Sequence, residues 1–137
     1  MLSDPLGLPY NADMSQREPV VRYRSQTPPI ECPYGNVERV VTGGLGGIAN
    51  VHVVRVTAGS PHRHVGYDET YYVLSGAGSI TLGQAVHRLE PGAVVVIPRG
   101  LVHSLQADRG ETLEFVIFGT PALPVDDPAC APRKPVE

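Results

Sequence analysis

No apolar run in the 137-residue chain approaches the roughly 20 residues needed to span a bilayer, so no membrane-spanning helix and no membrane partner are expected. The first residues, MLSDPLGLPYNADMSQ, lack the positive region and following apolar stretch of a secretory signal. The expected compartment is therefore the cytoplasm. Basic charge is also in short supply: 11 Lys and Arg against 14 Asp and Glu give a net charge of -3, which leaves no footprint for nucleic acid. Cysteine is scarce. Cys32 and Cys130 form no C-x-x-C spacing, which argues against a dithiolate metal site. A reducing cytoplasm would keep both as thiols, and whether they ever pair stays open.

Helical periodicity is scarce too, and the 15 Gly and 14 Pro point away from long helices. Eleven of the 14 prolines lie before residue 37 or after residue 119. The other three, Pro61, Pro91 and Pro98, sit at the edges of apolar runs. Proline lacks the N–H that a sheet ladder needs, so this distribution describes a strand-rich middle with irregular ends. The reading is an N-terminal arm at 1–36, one folded domain at 37–119 and an irregular C-terminal tail at 120–137. Within the arm one extra strand is expected around PVVRYR (Pro19 to Arg24).

The middle consists of short β-branched runs bounded by turn residues. They are VERVVT (from Val37), NVHVVRV (from Asn50), ETYYVL (from Glu69), SITL (from Ser79), AVHRL (from Ala85), AVVVI (from Ala93), VHSLQ (from Val102) and TLEFVIF (from Thr112). Eight such runs at near-regular spacing predict an all-β domain, a sandwich or small barrel, with little helix.

Two stretches carry chemistry: GSPHRHVGYDETYYVLSG and GAVVVIPRGLVH, starting at Gly59 and Gly92. His62 and His64 are two apart and point the same way in an extended segment. Glu69 opens the next strand after a tight connection, and His103 follows a Pro98-x-Gly100 turn. Four side chains can thus converge on one cation, and three imidazoles with one carboxylate suit a divalent transition metal. One such ion per chain is expected, iron or manganese first, with nickel or zinc as alternatives. No separate cofactor-binding motif is present.

These stretches resemble the two motifs of the cupin superfamily of jelly-roll β-barrels. His62 and His64, Glu69 and Gly76 match the first; Gly92, Pro98, Gly100 and His103 match the second. Val56 stands where the family has a glycine, and Ala107 where it has an asparagine. The resemblance implies a jelly-roll barrel of two antiparallel sheets, with His62, His64, Glu69 and His103 as metal ligands.

Strand alternation sends Tyr71 and Val73 inward with Glu69, and Leu101 and Leu105 inward with His103. Leu113, Phe115 and Ile117 belong to the same interior. Tyr71 is the candidate polar group beside the metal, so Glu69 and Tyr71 are the catalytic candidates. In NVHVVRV either His52 or Arg55 faces the lumen, and parity does not say which. The resemblance places dioxygenase or lyase chemistry on a small chelating molecule first. A sugar-phosphate isomerase or epimerase, with Arg55, Arg63, Arg88 and Arg99 as phosphate grips, and a non-catalytic ligand-binding protein are the alternatives. Apolar outward residues such as Tyr72 and Leu74 imply a homodimer.

Overall fold

Each β-branched run from Val37 onward forms a strand in the structure, a computed structural model that describes residues 18–33 and 35–124. Among the described residues nine strands follow in order: β1 (Ile30–Cys32), β2 (Gly35–Val41), β3 (Asn50–Val56), β4 (Asp68–Ser75), β5 (Gly78–Leu82), β6 (Ala85–Leu89), β7 (Val94–Ile97), β8 (His103–Ala107) and β9 (Leu113–Thr120). Among the described residues the only helical pieces are 3-10 turns at Arg24–Gln26 and Gly43–Leu45. None is long and apolar enough to cross a membrane.

All strand pairs are antiparallel. One sheet has six strands in the order β1-β2-β3-β9-β4-β7, and the other has three in the order β6-β5-β8. Two isolated bridges, Ala58 to Gln106 and His62 to His103, lay the segment after β3 along the free edge of β8. That segment carries the chain from the larger sheet across to the smaller one. The result is the all-β jelly roll of two antiparallel sheets that the sequence predicted.

Alternation puts the apolar residues between the sheets. In β9, Leu113, Phe115 and Ile117 are buried while Glu114, Val116 and Phe118 face outward. In β4, Tyr71 and Val73 are buried and Tyr72 and Leu74 are exposed. Facing them, Ile80, Leu89 and Leu105 come from the smaller sheet, and Leu101 packs on the same core from the side.

Two expectations are corrected. The extra N-terminal strand is not at 19–24 but at Ile30–Cys32, where it pairs with β2. Residues 19–23 carry no ladder; Arg22 Nε donates to the Val40 carbonyl, and Arg24, in the 3-10 turn, pairs through Nη2 with Glu38 at 2.7 Å. Cys32 is also not a free thiol but disulfide-bonded, and Cys130 lies outside the described residues. Residues 1–17 of the predicted arm and 125–137 of the predicted tail lie outside them as well.

Candidate metal centre

The inward face of the larger sheet supplies one wall of the site. Glu69 and Tyr71 are alternate residues of β4, and both point between the sheets, 4 % and 1 % exposed. The opposite wall is the segment after β3. His62 and His103 exchange both backbone hydrogen bonds, N to O at 3.0 and 2.9 Å, which fixes their two rings side by side. Next to them, the Gly100 amide donates to the His64 carbonyl, so the Pro98-x-Gly100 turn anchors the third imidazole. Asp68 then ties that turn to the start of β4 by accepting from the Arg99 amide at 2.8 Å and from its guanidinium at 3.0 Å. Glu69 and His103 are thereby held in a common frame although 34 residues separate them.

The coordinating atoms of His62, His64 and His103 all lie within 4.8 Å of one another. Each ring has its Nδ1 already engaged. For His62 the partner is the Ser60 carbonyl at 3.0 Å, and for His103 it is the Leu101 carbonyl at 2.9 Å. A carbonyl only accepts, so both rings carry hydrogen on Nδ1 and leave an Nε2 lone pair for the interior. His64 Nδ1 meets the Tyr67 hydroxyl at 2.8 Å, and the two rings stack with centroids 4.7 Å apart. When His64 ligates through Nε2, its Nδ1–H donates to Tyr67 Oη. Tyr67 went unnoticed in the sequence; its position three residues after His64 in a tight loop is the only signal there.

Glu69 Oε1 lies 3.4 Å from Nε2 of both His64 and His103. Burial would raise its pKa, but the surrounding imidazoles of His103, His64 and His62 outweigh that, holding it below the ordinary carboxylate range. His62 is pushed the other way, to about 4, by burial and by the neighbouring His103. The Glu69 carboxylate and the imidazole Nε2 atoms thus face one another in the interior. Three imidazoles and one carboxylate converging in this way form a donor set that a divalent transition metal takes. The buried His62, His64 and His103 group is able to hold a metal.

Tyr71 completes this wall. Its hydroxyl donates to Glu69 Oε1 at 3.2 Å and also lies 3.2 Å from His103 Nε2. The open choice in β3 resolves to His52. Arg55 is exposed and pairs with Glu114 at 2.6 Å, whereas His52 shares the inward face with Val54. His87, on β6, is exposed and away from the cluster.

The sandwich with a histidine cluster in its interior belongs to the class of small β-barrel proteins with a candidate metal site. A family profile described as "Cupin domain" matches residues 51–119, half of the chain, and the protein belongs to that family. An uncharacterised protein of Streptomyces coelicolor is 33% identical over 54 residues, 39% of this chain and 51% of its own length; the match thus spans about half of that relative. Among solved structures, the Streptomyces nucleoside dehydratase Pac13 superposes with a TM-score of 0.66 at 19% identity, over 80% of this chain and 88% of that one. A predicted oxalate decarboxylase from Thermotoga maritima gives 0.62 at 19% identity, over 76% of this chain and 100% of that one.

Proposed function

We propose that this protein is a metal-dependent enzyme acting on a small chelating organic molecule, by lyase chemistry first and dioxygenase chemistry second. The observation that carries this reading is the buried convergence of Glu69, Tyr71 and the three imidazoles. A closed structural site would have no use for a tyrosine hydroxyl in contact with its ligand atoms. His62, His64, His103 and Glu69 would hold one divalent ion, iron or manganese ahead of nickel and zinc. When bound, the ion supplies Lewis-acid polarisation of a chelating carbonyl or enol oxygen and, in the case of iron, a redox centre for dioxygen.

The chain's own residues do the rest. Glu69 stays ionised and gives Oε1 as the acceptor for the Tyr71 hydroxyl hydrogen. Tyr71 holds its proton at Oη, buried from water, and can turn that donor toward negative charge developing on a substrate oxygen. The names of the two similar structures, a dehydratase and a decarboxylase, support bond cleavage over oxygen insertion. Against a sugar-phosphate substrate stand the four candidate grips: Arg55, Arg88 and Arg99 pair on the surface with Glu114, Asp108 and Asp68, and Arg63 is exposed. For assembly we keep the homodimer, joined through the outward face of β4 and β7, where Tyr72, Val94 and Val96 are exposed at the open edge of the sheet.

The test begins with elemental analysis of protein purified without added metal, where about one ion per chain is expected. The loaded protein is then screened with β-diketones, catechols and hydroxy acids, in air and under nitrogen. Metal-dependent turnover that persists under nitrogen establishes the lyase; turnover only with oxygen uptake establishes the dioxygenase. Protein that retains no ion, or turns over equally with and without it, refutes the reading.

A further inference from the structure

Behind Tyr71 the inward face of the larger sheet holds two more polar residues, and the strand registers align them. Arg39 on β2 is directly opposite His52 on β3, His52 is opposite Ile117 on β9, and Ile117 is opposite Tyr71 on β4. Adjacent strands stand about 4.8 Å apart, so this row runs about 15 Å across the wall and ends beside the candidate metal ligands. Val37 and Val54, the residues two along from Arg39 and His52, are both in the core, which fixes the inward direction of the row.

His52 is the anomaly in it. Its Nε2 is inaccessible to solvent and has no hydrogen-bond partner among the described residues. A buried polar nitrogen without a partner costs about 1–3 kcal/mol, so it is retained where something else meets it. Its pKa is lowered to about 4 by burial first and then by the charge of Arg39, and Glu69 and His64 act on it more weakly. It is therefore neutral at ordinary pH and lies within electrostatic range of the candidate ligands.

We propose that His52 Nε2, backed by the positive potential of Arg39, binds an anionic oxygen of the substrate, a second carboxylate on the molecule chelated at His62, His64, Glu69 and His103. The site thereby selects small dicarboxylic acids over monocarboxylic ones. A neutral imidazole donates one hydrogen through Nε2, and a carboxylate oxygen is the acceptor that an adjacent guanidinium favours. This assignment rests on the proposed metal-dependent function for one end of the ligand only; the His52 end stands on β2 and β3 alone.

The experiment compares acetate, malonate and succinate as probes, with inorganic phosphate as control, by calorimetry on the metal-loaded chain and on chelator-treated chain. The parent is expected to prefer a dicarboxylate over acetate by about tenfold or more. His52→Leu and Arg39→Gln should each abolish the preference while leaving acetate affinity and metal content unchanged. Should one of these variants fail to fold, the His52 side-chain 15N resonances of the parent give the same answer, moving on addition of malonate and not on addition of acetate. That shift is expected in the metal-free chain too, at higher malonate concentration, so loss of the metal reading would leave it intact. Equal dicarboxylate preference in parent and variants, tighter binding of phosphate than of any carboxylate, or a His52 resonance indifferent to malonate in both forms overturns the proposal.

Discussion

The half-buried histidine of β3 should make the metal-free protein sensitive to acid by a calculable amount. In the folded chain His52 is held neutral down to about pH 4, whereas in the unfolded chain it takes up its proton near 6.5. Between these values the unfolded state binds the extra proton, so acid draws the chain toward unfolding. The contribution is fully present above pH 6.5 and is lost as the pH falls toward 4. At about 1.4 kcal/mol per pH unit, the complete loss is about 3 kcal/mol, a large part of the ~5–15 kcal/mol that holds a domain together. His62, also lowered to about 4, adds a loss of the same sign over the same window. His52→Leu should therefore remove about half of the imidazole-linked slope and leave the other half. The assay is urea unfolding of chelator-treated protein at several pH values from 7.5 to 4.5, parent beside variant. Above pH 7 the difference between their unfolding free energies should be constant, and below 6.5 it should shift by about 1.4 kcal/mol per pH unit. Parallel curves for the two proteins across the whole range would refute the burial argument. Arg39→Gln offers a second check: without that neighbouring charge His52 should protonate at higher pH, so the window of acid loss should narrow and the total loss shrink.

Removing the metal should lower the melting temperature without unfolding the chain, since an ion at 100 times its Kd contributes about 2.7 kcal/mol; complete unfolding by chelator would show a structural ion instead. His62→Ala should lose the ion and the chelator effect together, while His87→Ala, on the exposed face of β6, should keep both. Tyr67→Phe removes the hydroxyl that orients His64 and should weaken metal affinity about 10–100-fold by equilibrium dialysis, and unchanged affinity would dismiss Tyr67 as an orienting group. Two glycines separate backbone strain from crowding. Gly76 and Gly110 have φ of +86° and +79°, but a Cβ at Gly76 would sit 2.0 Å from the Thr112 carbonyl oxygen, whereas Gly110 has open space. Gly110→Ala should cost about 1 kcal/mol and Gly76→Ala distinctly more, as read by urea midpoints; equal costs would show that strand contact at Gly76 is unimportant.

Strand positions are legible because Gly, Pro and charged turns bracket each β-branched run, and inward directions are legible wherever one face meets water. Tyr71 and Tyr72 are the clear case, one buried and one exposed, as alternation requires. In β3 the signal fails for a physical reason: Val53 and Val54 are both buried, one on each face, so polarity does not alternate and His52 and Arg55 look equivalent. Arg39 is hidden by a break in register between Arg39 and Val41, which upsets the parity of β2. The short β1 escapes notice because Pro28, Pro29 and Pro33 frame only three residues. The four candidate ligands stand out by spacing, but Tyr67, Asp68 and the carbonyls that set the imidazole tautomers come from loop geometry, which spacing does not carry.

The last strand lies in the middle of the larger sheet. β9 pairs with β3 on one side and β4 on the other, although it is made more than 35 residues after β4 has ended. During synthesis β3 and β4 therefore leave the ribosome as two open edges with no partner between them, and the sheet cannot close until residues 113–120 have emerged. All four candidate ligands precede β9 in the chain, yet the wall that carries Glu69 and Tyr71 is fixed only when β9 inserts beside it. Loading of a metal at the candidate site would thus belong to the final moments of folding, and a nascent or truncated chain that ends before Leu113 would display hydrophobic strand edges instead of the assembled ligand cluster.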